Sequence, residues 1–202
     1  MIKALEELFE AHDKITLKDF AKTGLIFWRF SQSEHGRSAE CHFEQYIPGV
    51  ISTAKDREKK LSFVDEDHIG LCILYGDMLT RLNFDLNDKN FQAIENCEVK
   101  RIGNFFEEYE CEKLLPAENY SLEELSTLKM IIQMTKRHEY FVRMCTADTH
   151  KGELWQVLKS YGFTHSSCVM KQIRRALDKN PYFTQAEALE LIDQYIKQYL
   201  QE

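Results

Sequence analysis

Apolar residues in the first half of the chain form short dense runs separated by polar stretches. The runs at 25–30 ("LIFWRF") and 68–76 ("HIGLCILYG") have the length and composition of buried β-strands, and the second is the strongest strand pattern in the chain. Residues 98–116 predict one or two further strands. Strand-like residues also surround Pro48-Gly49, where a turn is expected. The first half is therefore predicted to contain a β-sheet.

Helical spacing of apolar residues alternates with these strands. Residues 2–11 predict an amphipathic helix, and Thr16 and Gly24 are suited to cap and end a second, shorter one. A third short helix is predicted at 53–63, where a charged run ends in apolar residues.

From residue 121 the pattern becomes helical. Ser-x-x-Glu and Thr-x-x-Glu capping boxes begin at Ser121 and Thr184, each before a helix with apolar spacing of about 3.6 residues. Two more helices are predicted between them, at 151–163 and 166–180.

These elements predict an α+β fold. A mixed or antiparallel sheet with flanking helices is expected for residues 1–118. Residues 119–202 are expected to form a mostly helical region packed on that sheet. We see no internal repeat, and we place the boundary between Pro116 and Ser121.

Composition and charge narrow the classes of function. The net charge of −7 gives no support for sequence-independent nucleic-acid binding, which requires a basic surface. The six cysteines show neither C-x-x-C pairs nor zinc-ligand spacing, so we expect reduced thiols, no metal site and a cytoplasmic location. We find no signal-peptide core and no apolar run long enough to span a membrane, which predicts no membrane association.

Arg29 is the first residue that suggests chemistry, because it lies within an apolar run. A buried guanidinium requires an anion or several hydrogen-bond acceptors. The structural alternative is an arginine that is paired or extends its charged end to solvent at a strand end.

Two further patterns carry candidate polar groups. Ser52 and Thr53 stand between a predicted strand and a predicted helix, where Thr53 could also serve as a helix N-cap. In "EEYECEKLLP", the acids Glu108, Glu110 and Glu112 would share one face of a strand. Such a row is either a solvated edge or a functional site in which the carboxyl groups raise one another's pKa.

Taken in order, these motifs resemble those of the mono-ADP-ribosyltransferase superfamily, in the branch with an Arg, a Ser-Thr-Ser and a Glu-x-Glu motif. The resemblance covers about residues 24–118 and rests on the Arg29 strand, "GVISTAKDREKKLSF" and "ECEKLLP". The chain departs from the family pattern at Phe30, where many members have Gly, and at Ala54, where the third motif residue is Ser. The spacing between Arg29 and Ser52 is also short.

The resemblance implies an enzyme that transfers ADP-ribose from NAD to a macromolecular acceptor. It implies that Arg29 binds the phosphates or ribose of NAD, that Ser52 positions the catalytic carboxylate and that Thr53 packs beside it. Glu112 would be that carboxylate, and Glu110 would orient the acceptor group. NAD would be the substrate, with no metal ion, and the acceptor would be a protein.

Two other functions stay open at this point. The chain could be a non-enzymatic interaction or inhibitor module of a cytosolic complex with a protein partner, as its helical ends suggest. The basic segment "KQIRRALDK" could contact nucleic acid or an acidic partner, but a solvated helix face is the favoured interpretation. Residues 138–173 also resemble the C-terminal half of a Gcn5-type N-acetyltransferase, although the Gly-rich loop that would hold the pyrophosphate is lacking. Oligomeric state does not follow from the sequence.

Overall fold

The fold is an antiparallel β-sheet with helices on both faces, as a computed structural model of the chain shows. The structure describes residues 3–31, 46–54, 60–69, 78–102, 108–122, 124–135, 141–142, 148–149, 152–153 and 164–199. Its helices are α1 (Lys3–Ala11), α2 (Leu17–Lys22), α3 (Lys89–Gln92), α4 (Leu125–Met134), α5 (Thr164–Lys179) and α6 (Gln185–Tyr199). Its strands are β1 (Ile15–Thr16), β2 (Phe27–Ser31), β3 (Ser52–Thr53), β4 (Leu61–Asp65), β5 (Met78–Leu82), β6 (Glu98–Ile102), β7 (Glu108–Cys111), β8 (Lys113–Leu114), β9 (Pro116–Ser121), β10 (Asp148–Thr149) and β11 (Gly152–Glu153).

Seven of these strands form the main sheet, in the order β1-β6-β7-β4-β2-β5-β9. Every neighbouring pair in it is antiparallel. Two small ladders, β3–β8 and β10–β11, stand apart from it. The predicted α+β class is confirmed, and the sheet is antiparallel.

Alternation along β2 separates two hydrophobic cores, because successive side chains in a strand point to opposite faces. Trp28 and Phe30 belong to a core that α4, α5 and α6 complete with residues such as Ile131, Ile173 and Ile192. Phe27 belongs to a second core that contains buried residues from α1, α2 and α3, namely Leu5, Leu17, Phe20 and Phe91. The C-terminal helices therefore cover one face and the N-terminal helices cover the other.

The second core is built largely from aromatic rings. Phe20 is fully buried, and its ring centroid lies 5.0 Å from that of Tyr109, 5.1 Å from Phe27 and 5.7 Å from Phe63. Edge-to-face and tilted ring pairs of this kind contribute about 0.5–1.5 kcal/mol each beyond their burial. This cluster fixes β2, β4 and β7 relative to one another.

Local signals account for several helix ends. Asp19 accepts a hydrogen bond from the backbone N–H of Thr16, which caps α2, and Gly24 follows α2 with a φ of 67°. Thr184 and Glu187 form the predicted capping box before α6, with the Thr184 N–H donating to the Glu187 carboxylate at 2.6 Å. The predicted helices at 2–11 and 16–24 and the second capping box are confirmed.

Other predicted elements differ from the structure. The helix predicted at 53–63 is wrong at its end, because Leu61–Asp65 is a strand whose buried Leu61 and Phe63 alternate with Ser62. The capping box at Ser121 is also wrong, since β9 extends through Ser121 and α4 begins at Leu125 without a side-chain cap. In both places cross-strand pairing, with β7 and β5, outweighs the local helical pattern.

Parts of two predictions lie outside the described residues. The strand predicted at 68–76 falls there except for His68 and Ile69, which lie in a turn. The helix predicted at 151–163 falls there except for Gly152–Glu153, which form β11. The domain boundary predicted after residue 118 falls inside β9.

Candidate functional site

Arg29 lies on β2 and is buried, with only 7% of its surface exposed. Its Nη1 donates to the backbone carbonyl of Ser62 and, at 3.2 Å, to the Ser62 hydroxyl. Within the part of the chain that the structure describes, no carboxylate lies within ion-pair distance of the guanidinium. Among the residues that the structure describes, the positive charge therefore contacts only neutral acceptors and the Tyr46 ring.

Only some of the hydrogen-bond donors of Arg29 have partners among the described residues. A guanidinium carries five N–H groups in a fixed planar arrangement. The two on Nη1 face Ser62, whereas Nε is buried and has no hydrogen-bond partner among the described residues. The Nε and Nη2 edge is one of two edges at which a guanidinium can bind carboxylate or phosphate in a bidentate manner.

Tyr46 covers the guanidinium. Its ring centroid lies 4.8 Å from Arg29 Cζ, which is within the range of a cation–π contact, and the residue itself is 5% exposed. The Tyr46 carbonyl accepts a hydrogen bond from the Asn119 side-chain amide at 2.8 Å. The Thr80 hydroxyl in turn donates to Asn119 Oδ1 at 2.8 Å.

Ser52 and Thr53 form β3, which pairs with β8. In this ladder Ser52 is opposite Leu114 and Thr53 is opposite Lys113, and the Ala54 N–H then donates to the Glu112 carbonyl at 2.9 Å. Ser52 is buried and Thr53 is exposed. The role of Thr53 as a cap for residues 55–59 lies outside the described residues.

The predicted row of three carboxylates is wrong at its third member. Glu108 and Glu110 share a face of β7, but β7 ends at Cys111 and Glu112 occupies a bend before β8. Glu112 is exposed and Glu110 is partly buried. The bend removes Glu112 from the alternation that the sequence pattern implied.

Strand pairing brings parts of the backbone of this set together, but Tyr109 and Cys111 belong to the same core as Phe27, so the side chain of Glu110 points to the face of the sheet opposite Arg29. Ser62, which binds Arg29, is opposite Glu110 in the β4–β7 ladder, and Glu112 follows two residues later beside β3. Ser62, Tyr46, Thr80 and Asn119 were not predicted, because their contacts with one another and with Arg29 depend on strand register. The nearest sequence indication was the turn-forming Pro48-Gly49, which follows Tyr46.

Cys111, at the end of β7, has a buried thiol. Burial raises its pKa well above the usual range, and the nearby Cys97 acts in the same direction. The positive charge of Arg29 acts in the opposite direction, but it does not offset the cost of burial. Cys111 is therefore a protonated packing residue and not a nucleophile.

A separate cleft of about 570 Å³ lies at the end of the sheet where β2 begins. Its walls include Ile26, Gly49, Arg81, Pro116 and Glu118. None of the five predicted site residues lines it. Ile26 is 39% exposed at this cleft, and the exposed Ile47 and Val50 flank Gly49 in the adjoining turn.

Searches for other kinds of site give no further candidate. Among the described residues, no group of three His, Cys, Asp or Glu side chains could hold a metal ion. In the same part of the chain, none of the helices has the length and apolar character needed to cross a membrane.

Comparison with known proteins gives no match. No protein-family model, no curated protein and no solved structure is similar to this chain.

Proposed function

We propose that the chain is an ADP-ribosyltransferase-like enzyme that uses NAD as its substrate. The observation that carries this proposal is the buried guanidinium of Arg29, which has no carboxylate partner in the described residues and an unpaired Nε. An unneutralised buried charge is costly, so retaining it is best explained by an anionic ligand. The pyrophosphate of NAD is such a ligand.

We assign the remaining roles from the resemblance to the ADP-ribosyltransferase motifs. In the proposed reaction the bond between ribose C1′ and the nicotinamide nitrogen breaks, and its electron pair leaves with nicotinamide. Glu112 stabilises the positive charge that develops on the ribose, as carboxylates do for oxocarbenium-like transition states. The acceptor atom then bonds to C1′ and loses its proton, and Glu110 orients that acceptor.

Ser52 and Thr53 support this arrangement from β3. The hydrogen bond from the Ala54 N–H to the Glu112 carbonyl fixes the backbone of the bend that carries the carboxylate. We assign Ser52 to positioning the acid and Thr53 to packing beside the bound substrate. A protein is the proposed acceptor, and the cytoplasm is the proposed location.

The test is release of nicotinamide from labelled NAD, with cell lysate as the source of acceptors. Glu112→Gln is nearly isosteric and removes only the charge, so turnover should fall about a hundredfold or more while the fold and NAD binding persist. Ser52→Ala should give a smaller loss, and Glu118→Gln, a change to a partly exposed acid outside the site, should give none. Wild-type protein that releases no nicotinamide contradicts the proposal.

The exposed apolar residues support a second candidate function. Ile26 lines the cleft at the sheet end, and Ile47 and Val50 are exposed in the turn that contributes Gly49 to it; these apolar residues suit a protein partner, which favours an interaction module. Hydrogen bonds from the Gly49 N–H to Pro116 and from Asn90 to the Gly49 carbonyl hold this turn in place. If this function is the correct one, Val50→Asp abolishes binding of the partner, whereas Glu112→Gln has no effect.

A further inference from the structure

Tyr46 contacts Arg29 through its ring and Asn119 through its backbone. Its ring packs on the guanidinium, and its backbone carbonyl is held by Asn119. Tyr46 is itself buried in the aromatic core of the N-terminal helices. The ring is therefore fixed from the backbone side by a hydrogen bond and on its sides by packing.

Asn119 and Thr80, which hold the Tyr46 backbone, lie on the same face of the sheet as Arg29. Arg29 is opposite Thr80 in the β2–β5 ladder, and Thr80 is opposite Asn119 in the β5–β9 ladder. Directly opposed residues in antiparallel strands have side chains on one face, so the three form a polar row across β2, β5 and β9. Tyr46 connects the two ends of this row: Thr80 binds Asn119, Asn119 binds the Tyr46 carbonyl, and the Tyr46 side chain packs on Arg29.

We propose that Tyr46 is a positioning residue for Arg29, and that the Thr80–Asn119 pair holds it in place. This inference deepens the proposed function, because it states how the anion-binding edge of Arg29 is oriented. Ser62 fixes Nη1 on one side of the guanidinium, and the Tyr46 ring fixes the plane of the group. With both constraints present, the Nη2 donors are preorganised for a phosphate group, whereas Nε stays buried.

The residues that make these contacts suggest a matched set of variants. Tyr46→Leu removes the aromatic face, whereas Tyr46→Phe retains it. Asn119→Leu removes the amide that binds the Tyr46 carbonyl, and Thr80→Val removes the donor to Asn119 while keeping the shape of the side chain. Glu118→Gln serves as the control, since Glu118 neighbours Asn119 on β9 but pairs with Arg81.

The first measurement needs no ligand. The Nε–H proton of Arg29 is observed by NMR in arginine-labelled full-length protein and assigned by its loss in Arg29→Lys. We expect its exchange with solvent to rise about tenfold in Tyr46→Leu and Asn119→Leu, and less in Thr80→Val, because a buried N–H exchanges only when its cover opens. Tyr46→Phe and Glu118→Gln should match the wild type. Unchanged exchange in a folded Tyr46→Leu protein overturns the proposal.

The second measurement uses inorganic pyrophosphate as the probe and calorimetry as the readout. Tyr46→Leu and Asn119→Leu should bind it about three- to tenfold more weakly than the wild type, in line with loss of a desolvated cation–π contact. Equal affinity in Tyr46→Leu and the wild type overturns the positioning role. Wild-type protein that binds no pyrophosphate contradicts the proposed function instead, and the exchange measurement then still decides whether Tyr46 positions Arg29.

Discussion

Replacing Arg29 with methionine separates a functional arginine from a structural one. Methionine has a similar length and no charge, so the substitution removes the guanidinium without opening a large cavity. If the arginine neutralised a buried acid, its removal would cost about 3–5 kcal/mol, because the partner charge would be left unpaired. The described residues contain no such acid beside Arg29.

The magnitude follows from two opposing contributions. Removing an unpaired buried charge relieves its desolvation penalty, which is several kcal/mol for a buried ion. Against this, the protein loses two hydrogen bonds to Ser62, and bonds to charged groups contribute about 1.5–3 kcal/mol each, or about 3–6 kcal/mol together, which is close to the relieved penalty. We therefore expect the free energy of unfolding of Arg29→Met to lie within about 2 kcal/mol of the wild-type value.

Urea unfolding followed by circular dichroism gives this free energy from the midpoint and slope of the transition. Arg81→Met is the matched control, because Arg81 forms a partly exposed ion pair with Glu118, at 3.0 Å, that contributes little to stability. A loss of 3 kcal/mol or more in Arg29→Met, with an unchanged slope, would refute the reasoning and make Arg29 a structural anchor.

Three other predictions concern the fold around the site. Asp65 Oδ1 is buried and accepts hydrogen bonds from the Asp67 N–H, the His68 N–H and His68 Nδ1. Asp65→Ala should therefore lower the unfolding free energy by about 3 kcal/mol or more in the same urea assay. A loss below about 1 kcal/mol contradicts this prediction. Hydrogen bonds from the Thr184 N–H and hydroxyl lower the pKa of Glu187 in the folded protein. The ionised Glu187 therefore stabilises the fold fully above the pKa of an unfolded glutamate, about 4.3, and this stabilisation is lost as the pH falls through the lower folded pKa. Thermal midpoints of wild type and Glu187→Gln should therefore differ at pH 7 and converge as the pH falls below the folded pKa of Glu187. Burial raises the pKa of Cys111, so iodoacetamide at pH 8 should alkylate it only after unfolding, as peptide mass spectrometry would show.

Local sequence signals correctly predicted the elements that short-range interactions determine. The apolar run at 25–30 predicted β2, and the Thr184 capping box predicted the start of α6. The strand Leu61–Asp65 was mistaken for part of a helix, because a charged run precedes it and its pairing partners lie far along the chain in β2 and β7. Propensity is a weak guide where non-local pairing decides the structure.

The candidate site was predictable only in part for the same reason. Arg29 attracted attention because a charge within an apolar run requires a partner. That partner, Ser62, is 33 positions away, and Asn119 is 73 positions from Tyr46, so the contacts depend on strand register and on the path of the segment at 46–54. The bend that separates Glu112 from Glu110 likewise has no strong sequence signal.

Titration of NAD into wild-type and Arg29→Met protein by calorimetry tests the central claim most directly. The claim is that the buried Arg29 guanidinium is kept unneutralised in order to bind an anionic substrate. We predict saturable NAD binding by the wild type and a loss of about tenfold or more in affinity in a folded Arg29→Met protein, as expected when a bidentate charged contact is removed. Equal NAD affinity in the two proteins, or no NAD binding by the wild type, would contradict the claim.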